Sequence, residues 1–266
     1  MFAEIDWSRP WYASVRAAAA GTDLEASSVI ASFSAQAAAR ELCNHQGLPL
    51  AFVPQSALPE GVAYEEFIGA TGGVPTRDNL HDFFNGLVWL SFPLIKRQLN
   101  ALQAAQIARD GVGKSRGPAR DAATLFDENA ALLVVRGTEQ GRALARALRG
   151  HEWRTAFVEL RELFGEAGQA QVWLFGHALM EKLVAPYKAI TAHTRIVTAD
   201  EGFFALDEAG RRAWLDQTVA RELALEGLSK SCFTPLPMLG VPGWWPGQDE
   251  EFYGDAAVFR PKRSAQ

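Results

Sequence analysis

Cysteine is almost missing from this chain: Cys43 and Cys232 are the only two in 266 residues. Two thiols cannot build a structural zinc site by themselves, and nothing else asks for a disulfide, so reduced, mostly buried thiols are expected. Long apolar runs are missing as well. The stretch 83–95 is interrupted by Asn85 and Pro93 and is shorter than the roughly 20 residues a bilayer span requires, so no membrane segment is expected. The opening MFAEIDWSRPWYASVRAAAA has no basic segment ahead of an apolar one, which argues against a secretory signal and for a cytoplasmic location. Positive charge is in deficit. A net charge of -5 works against general binding to nucleic acid or to anionic membranes, since both repel an acidic surface. Several catalytic signatures are also lacking. There is no GxSxG, no HExxH and no Cys-rich metal motif, and the GKS at 113–115 is not a phosphate loop, because Ala108 stands where that motif needs its first glycine.

What is present is ample core material, with 48% apolar residues, and one segment that combines grease with polarity. RDNLHDFFNGLVWLSFPLIKRQLN, 77–100, reads as a helix capped by Asp78 and apolar on nearly every side. A helix of that kind is buried, so His81, Asp82 and Asn85 need partners. His81 and Asn85, four apart, share a face. Pro93 suits the first turn of a second helix running to about Arg109, which gives a bent helical spine. Further helices are predicted over 6–20, 34–44, 138–164 with a break at Gly150, 169–184 and 206–228, and strands over 50–53, 62–68 and 190–198. Residues 122–126 and 130–136 read as a hairpin across the turn Asp127-Glu128-Asn129. From Phe233 onward the chain is rich in Pro, Gly and Trp and is expected to be irregular while packing on the core. The predicted architecture is α+β: one helix-dominated domain over 1–266 with a small antiparallel sheet and that C-terminal tail.

Four blocks, HDFFNGLVWLSFP, RGPARDAATLFDENAALLV, FGHALMEKL with TAHT, and LPMLGVPGWWPG, occur in this order. Together they resemble a bacterial family known only as a domain of unknown function, number 3025. The resemblance spans about Trp7 to Pro261. It implies a single domain filling the chain and brings no catalytic residues or substrate with it.

Chemistry must therefore be read from residue types. His81, His177 and His193 lie in or beside apolar segments, and carboxylates accompany them: Glu181 shares a helix face with His177, and Asp127 and Glu128 sit in the predicted hairpin turn. Should folding bring them together, these imidazoles with a carboxylate suit zinc or a similar divalent ion, with another carboxylate as general base. The metal ligands would come from His81, His177, His193 and Glu181, and the catalytic groups from His81, Asp127, Glu128, His177 and His193. Lys96, Arg97, Arg109, Lys114, Arg116 and Arg120, set against Asp110 alone, form a basic concentration in an acidic chain. Arg116 and Arg120, with Asn85, are the candidates for holding a small anionic substrate. The leading expectation is a metal-dependent hydrolase. The competing one is a non-enzymatic ligand-binding or protein-interaction domain, in which the histidines and acids are structural and Trp244 and Trp245 with Arg116 form the binding surface. An enzyme requires the histidines to converge in a concave pocket; a binder requires exposed aromatics beside Arg116 and Arg120.

Overall fold

The computed structural model describes residues 2–25, 28–110, 117–165 and 168–262. In chain order the regular elements are α1 (Ala13–Ala20), α2 (Ile30–Ala39), β1 (Ala51–Pro54), α3 (Tyr64–Thr71), β2 (Gly73–Thr76), α4 (Leu80–Ser91), α5 (Pro93–Asp110) and α6 (Pro118–Asn129). There follow β3 (Ala130–Arg136), α7 (Glu139–Gly150), β4 (Ala170–Leu174), α8 (His177–Lys182), β5 (Thr191–Ala199), α9 (Glu201–Ala205), α10 (Glu208–Glu226), β6 (Thr234–Pro237) and α11 (Glu250–Gly254). Helix outweighs strand, and the α+β class stands.

The helical spine is α4 and α5, meeting at the Phe92-Pro93 bend. Asn79 caps α4, its side chain accepting from the Asp82 amide at 2.7 Å. The cap is therefore one residue beyond Asp78, because Asn79 takes the extended conformation that a cap requires. From Asp82 to Ser91 the helix is buried on all sides. Phe83 stacks with Phe33 of α2, and Phe84 lies parallel to Tyr12, with ring centroids 5.8 and 5.5 Å apart. Each such ring removed from water stabilises the fold by about 1.5–3 kcal/mol. A Cβ at Gly86 would strike the Phe33 ring, so the helix comes this close to α2 only as glycine.

The larger sheet has the order β4-β3-β5-β6. Its outer pairings are antiparallel, as expected, and its central pair β3/β5 is parallel, so the sheet is mixed. β3, AALLVVR, is buried from Ala130 to Val135, which explains its unbroken apolar run. A second, two-stranded parallel sheet pairs β1 with β2, and α3 makes the crossover between them. Among the described residues, no helix is long and apolar enough to cross a membrane.

Three local expectations are overturned. Residues 118–129 are not the first arm of a hairpin but the helix α6, with Pro118 in its first turn and Ala122, Ala123, Phe126 and Asp127 buried. Their spacing is that of one helix face, which outweighs the turn chemistry of Asp127-Glu128-Asn129. Residues 62–68 enter helix α3 rather than a strand; Glu65 and Glu66 lie in its first turn, and Gly72 ends it in the left-handed region at φ 75°. The helix predicted over 169–184 is split: 170–174 form β4, an edge strand on β3, and only 177–182 are helical. Pairing with a buried strand decides the first half, and Gly176 interrupts the second. In the C-terminal segment, Thr234–Pro237 pairs with β5 as the edge strand β6, a position where prolines are tolerated.

Candidate metal centre

Three helix ends meet at one cleft. His81 is in the first turn of α4, Glu128 in the last turn of α6 and His177 at the start of α8. What brings α8 against α6 is Gly176. The amides of Phe175 and Gly176 both donate to the Ala130 carbonyl, at 3.1 and 2.8 Å, and a Cβ at Gly176 would collide with the backbone of Glu128–Ala130. A glycine is thus the condition for placing His177 beside Glu128.

The two imidazoles meet edge to face with centroids 4.5 Å apart, and their Nε2 atoms are separated by 3.1 Å. Glu128 Oε2 lies 3.6 Å from His177 Nε2 and 4.0 Å from His81 Nε2. The other nitrogen of each ring faces a carboxylate. His81 Nδ1 donates to Glu181 Oε2 at 3.0 Å, and His177 Nδ1 stands 3.8 Å from Asp127 Oδ2, buried and without a hydrogen-bond partner. Glu181 therefore holds the His81 tautomer with its lone pair on Nε2 and serves that ring from behind; it does not join the converging atoms. His81, Glu128 and His177 offer one ligand atom each within 4.8 Å of one another.

Two nitrogens bound at tetrahedral angles to one zinc ion, each about 2.0–2.1 Å from it, lie about 3.3–3.4 Å apart, close to the observed Nε2 separation. Two imidazoles and a carboxylate form a three-ligand set that leaves a further position open. Glu181, hydrogen-bonded to His81 Nδ1, is the outer support that a metal-bound histidine uses, and Asp127 stands on the corresponding side of His177 at 3.8 Å, beyond hydrogen-bond distance.

Electrostatics act on these groups in different directions. Burial pushes the His177 imidazole down to about 4, against the opposing pull of Asp127, so the ring is neutral at pH 7. Burial also raises the Glu128 carboxyl, with His81 working the other way. Burial acts on Asp127 in the same sense, but Lys96 overcomes it and holds that carboxyl below its ordinary range. Lys96 Nζ donates to Asp127 Oδ1 at 2.6 Å and to Asn85 Oδ1 at 2.9 Å, and it lies 5.1 Å from the centre of the Trp89 ring.

The cleft encloses about 440 Å³, and its lining includes Tyr64, Glu65, Asn85, Arg120, Glu128 and His177. Arg120 reaches it with a buried Nε that has no hydrogen-bond partner. Arg77 is already engaged, donating from its amide, Nε and Nη2 to Asp82. Arg116 lies outside the described residues. His193 stands apart from the cluster: registered against Ala130 in the sheet, it packs edge-on to Phe233 at 6.1 Å and does not line the cleft. Strand alternation puts its neighbours Ala192 and Thr194 in the interior, leaving His193 on the other, half-covered face. Trp244 and Trp245 are half-buried against the core, Trp244 lying 6.1 Å from Trp11.

From the sequence, Lys96 was named only as part of the basic concentration, and Tyr64 and Glu65 not at all. Lys96 carried a signal: with Phe92, Ile95 and Leu99 it occupies the core-facing spacing of α5, where a lone cation demands a partner. Tyr64 and Glu65 were hidden by the reading of their segment as a strand. Glu65 accepts from Asn100 Nδ2 at 2.7 Å, and burial raises its carboxyl above the ordinary value.

Comparisons with curated proteins and with solved structures give no match. The family model described as protein of unknown function (DUF3025) matches residues 50–263, a span holding the whole His81, Glu128 and His177 cluster, and the chain belongs to that family.

Proposed function

We propose that the protein is a cytoplasmic metal-dependent hydrolase, built as one domain, that acts on a small anionic substrate. His81 Nε2, His177 Nε2 and the Glu128 carboxylate are the ligands of a divalent ion of the zinc class. The observation that carries this reading is the facing of the two Nε2 atoms at 3.1 Å, with a carboxylate turned to the far nitrogen of each ring. Without an ion His177 Nε2 donates to His81 Nε2; with an ion between them the His177 proton would move to Nδ1, on the side of Asp127, and both Nε2 lone pairs would turn to the cation. A bound ion of this kind supplies Lewis acidity and lowers the pKa of water. Among the protein's own groups, Asp127 and Glu181 orient the rings, Lys96 neutralises Asp127, and Arg120 offers an unpaired donor to a carboxylate or phosphate of the substrate.

The test is metal content by mass spectrometry on tag-free protein dialysed against zinc and manganese, with circular dichroism as the check on folding. The wild type is expected to hold one equivalent, and His177→Ala to lose it while staying folded. Wild type that retains no metal overturns the reading. Metal-loaded protein is then screened with ester, amide and phosphate substrates, where Glu128→Gln is expected to abolish whatever turnover is found.

A further inference from the structure

The orientation of the Asn85 amide is fixed by its neighbours. Lys96 Nζ can only donate, so the group facing it at 2.9 Å is the carbonyl oxygen of Asn85. The amide nitrogen must then face Tyr64, and Asn85 Nδ2 donates to the Tyr64 hydroxyl at 2.9 Å. Tyr64 Oη is thereby an acceptor in this bond, and its own O–H donates to no described residue. The ring lines the cleft that His81, Glu128 and His177 also line. Burial holds the Tyr64 hydroxyl well above its ordinary pKa, with Glu65, Asp127 and Asp82 acting in the same direction, so it is a protonated donor at neutral pH.

The result is a one-way chain, Lys96 to Asn85 to Tyr64 to the cleft, with a buried cation at its origin. Each donation polarises the next and strengthens the last donor. Donors held in place before the reaction are what stabilise charge that develops on a substrate oxygen. We propose that Tyr64 is the oxyanion donor of this cleft, giving its hydrogen bond to the substrate oxygen on which negative charge accumulates, and that Lys96 and Asn85 are its positioning residues. This inference rests on the metal reading above and adds to it a substrate-touching residue on α3.

The experiment uses cobalt(II)-loaded full-length protein with acetohydroxamate, a metal-chelating oxyanion, as probe, in wild type, Tyr64→Phe and Asn85→Leu. The cobalt visible spectrum reports the metal and calorimetry reports the probe. Tyr64→Phe is expected to keep the cobalt spectrum and cobalt affinity while binding acetohydroxamate about 10- to 100-fold more weakly, the loss of one hydrogen bond to a charged group. Asn85→Leu, which leaves Tyr64 in place, is expected to weaken the probe several-fold, an order-of-magnitude expectation for losing one polarising link. A merely structural Tyr64 would lower thermal stability and leave the probe affinity untouched. Cobalt-loaded Tyr64→Phe that binds acetohydroxamate as tightly as wild type overturns the assignment while the metal reading stands, and so does cobalt-loaded wild type that does not bind the probe. Wild type that takes up no cobalt overturns the metal reading and this assignment together.

Discussion

Two polar centres are buried against consecutive residues of α5, and they are built on opposite terms. On one side Asp216 of α10 accepts the amides of Leu94 and Ile95 at 3.0 and 2.8 Å, closing the first turn of α5 against its neighbour. On the other, the very next residue, Lys96, reaches into the cleft to Asp127 and Asn85. The Asp216 centre takes backbone donors that the start of any helix leaves over and has nothing further to offer. The Lys96 centre passes its polarity on, to Asp127 behind His177 and through Asn85 to Tyr64, whose hydroxyl accepts from Asn85 and whose own O–H donates to no described residue; Arg120, in the lining of the same cleft, separately brings a buried Nε without a hydrogen-bond partner. A network that only holds a fold together closes on itself, whereas a network that serves a ligand leaves donors facing a cavity.

The largest effect that would break this contrast comes from Lys96→Met. It leaves the Asp127 carboxylate buried without its cation and is expected to lower unfolding free energy by about 3–5 kcal/mol in urea titrations. The double variant Lys96→Met/Asp127→Leu removes both charges and should recover much of that stability. It should not recover metal affinity, because His177 Nδ1 then has no carboxylate behind it. A double variant that restored both would mean that the pair is structural, like the Asp216 centre.

Next in size is a pH effect confined to the closed centre. Burial raises the Asp216 carboxyl to about 7, against the two amides that lower it. In the unfolded chain it titrates near 3.8. Between those values the folded state keeps a proton that the unfolded state has released. The contribution is therefore complete below about pH 4, declines as pH rises towards 7 and is absent above it, in total about 4 kcal/mol. Subtracting the stability profile of Asp216→Asn from that of wild type should isolate this falling limb, and a flat difference would refute it.

Third, Glu181→Gln leaves the converging atoms intact but weakens the acceptor behind His81, and is expected to cost roughly 10- to 100-fold in metal affinity. The Asp216→Asn variant should leave metal affinity unchanged. Competition against a chelator measures both.

The contrast also marks how much the sequence could tell. The spine around Pro93, strand β5 and helix α10 were legible because their apolar spacing, caps and breakers agree with what the tertiary structure asks of them. His81 and His177 could be paired in advance only as polar residues in apolar helical surroundings. That they face each other depends on Gly176 allowing α8 to lie on the start of β3, which no local pattern states. Glu128 was chosen for its type and assigned the wrong element: helical burial, not turn geometry, places it. His193 has the same credentials in sequence and stands apart because strand alternation gives its face to Phe233. Tyr64 was out of reach, since its role comes from a lysine and an asparagine on two other helices and from a segment that reads locally as β.

The smallest effect tests whether a closed network behaves as one. Arg195 on β5 is buried, and its Nε and Nη2 donate to Glu222 at 3.1 and 2.8 Å while Nη2 also reaches Glu226 at 3.1 Å. The Glu226 side chain is 63% exposed and that of Glu222 31%. Water screens the outer acid, and its long side chain gives up entropy to hold the pair, so Glu226→Gln should cost at most about 1 kcal/mol. Glu222→Gln should cost more, because it weakens both bonds that a buried guanidinium makes to the less exposed of its two acids. Neither change should move metal uptake. A Glu226→Gln cost above that of Glu222→Gln in urea unfolding would reverse the order that burial predicts here. A loss of metal in either variant would show that the Arg195 centre is coupled to the cleft, and the division between closed and open networks would then fail at its weakest member.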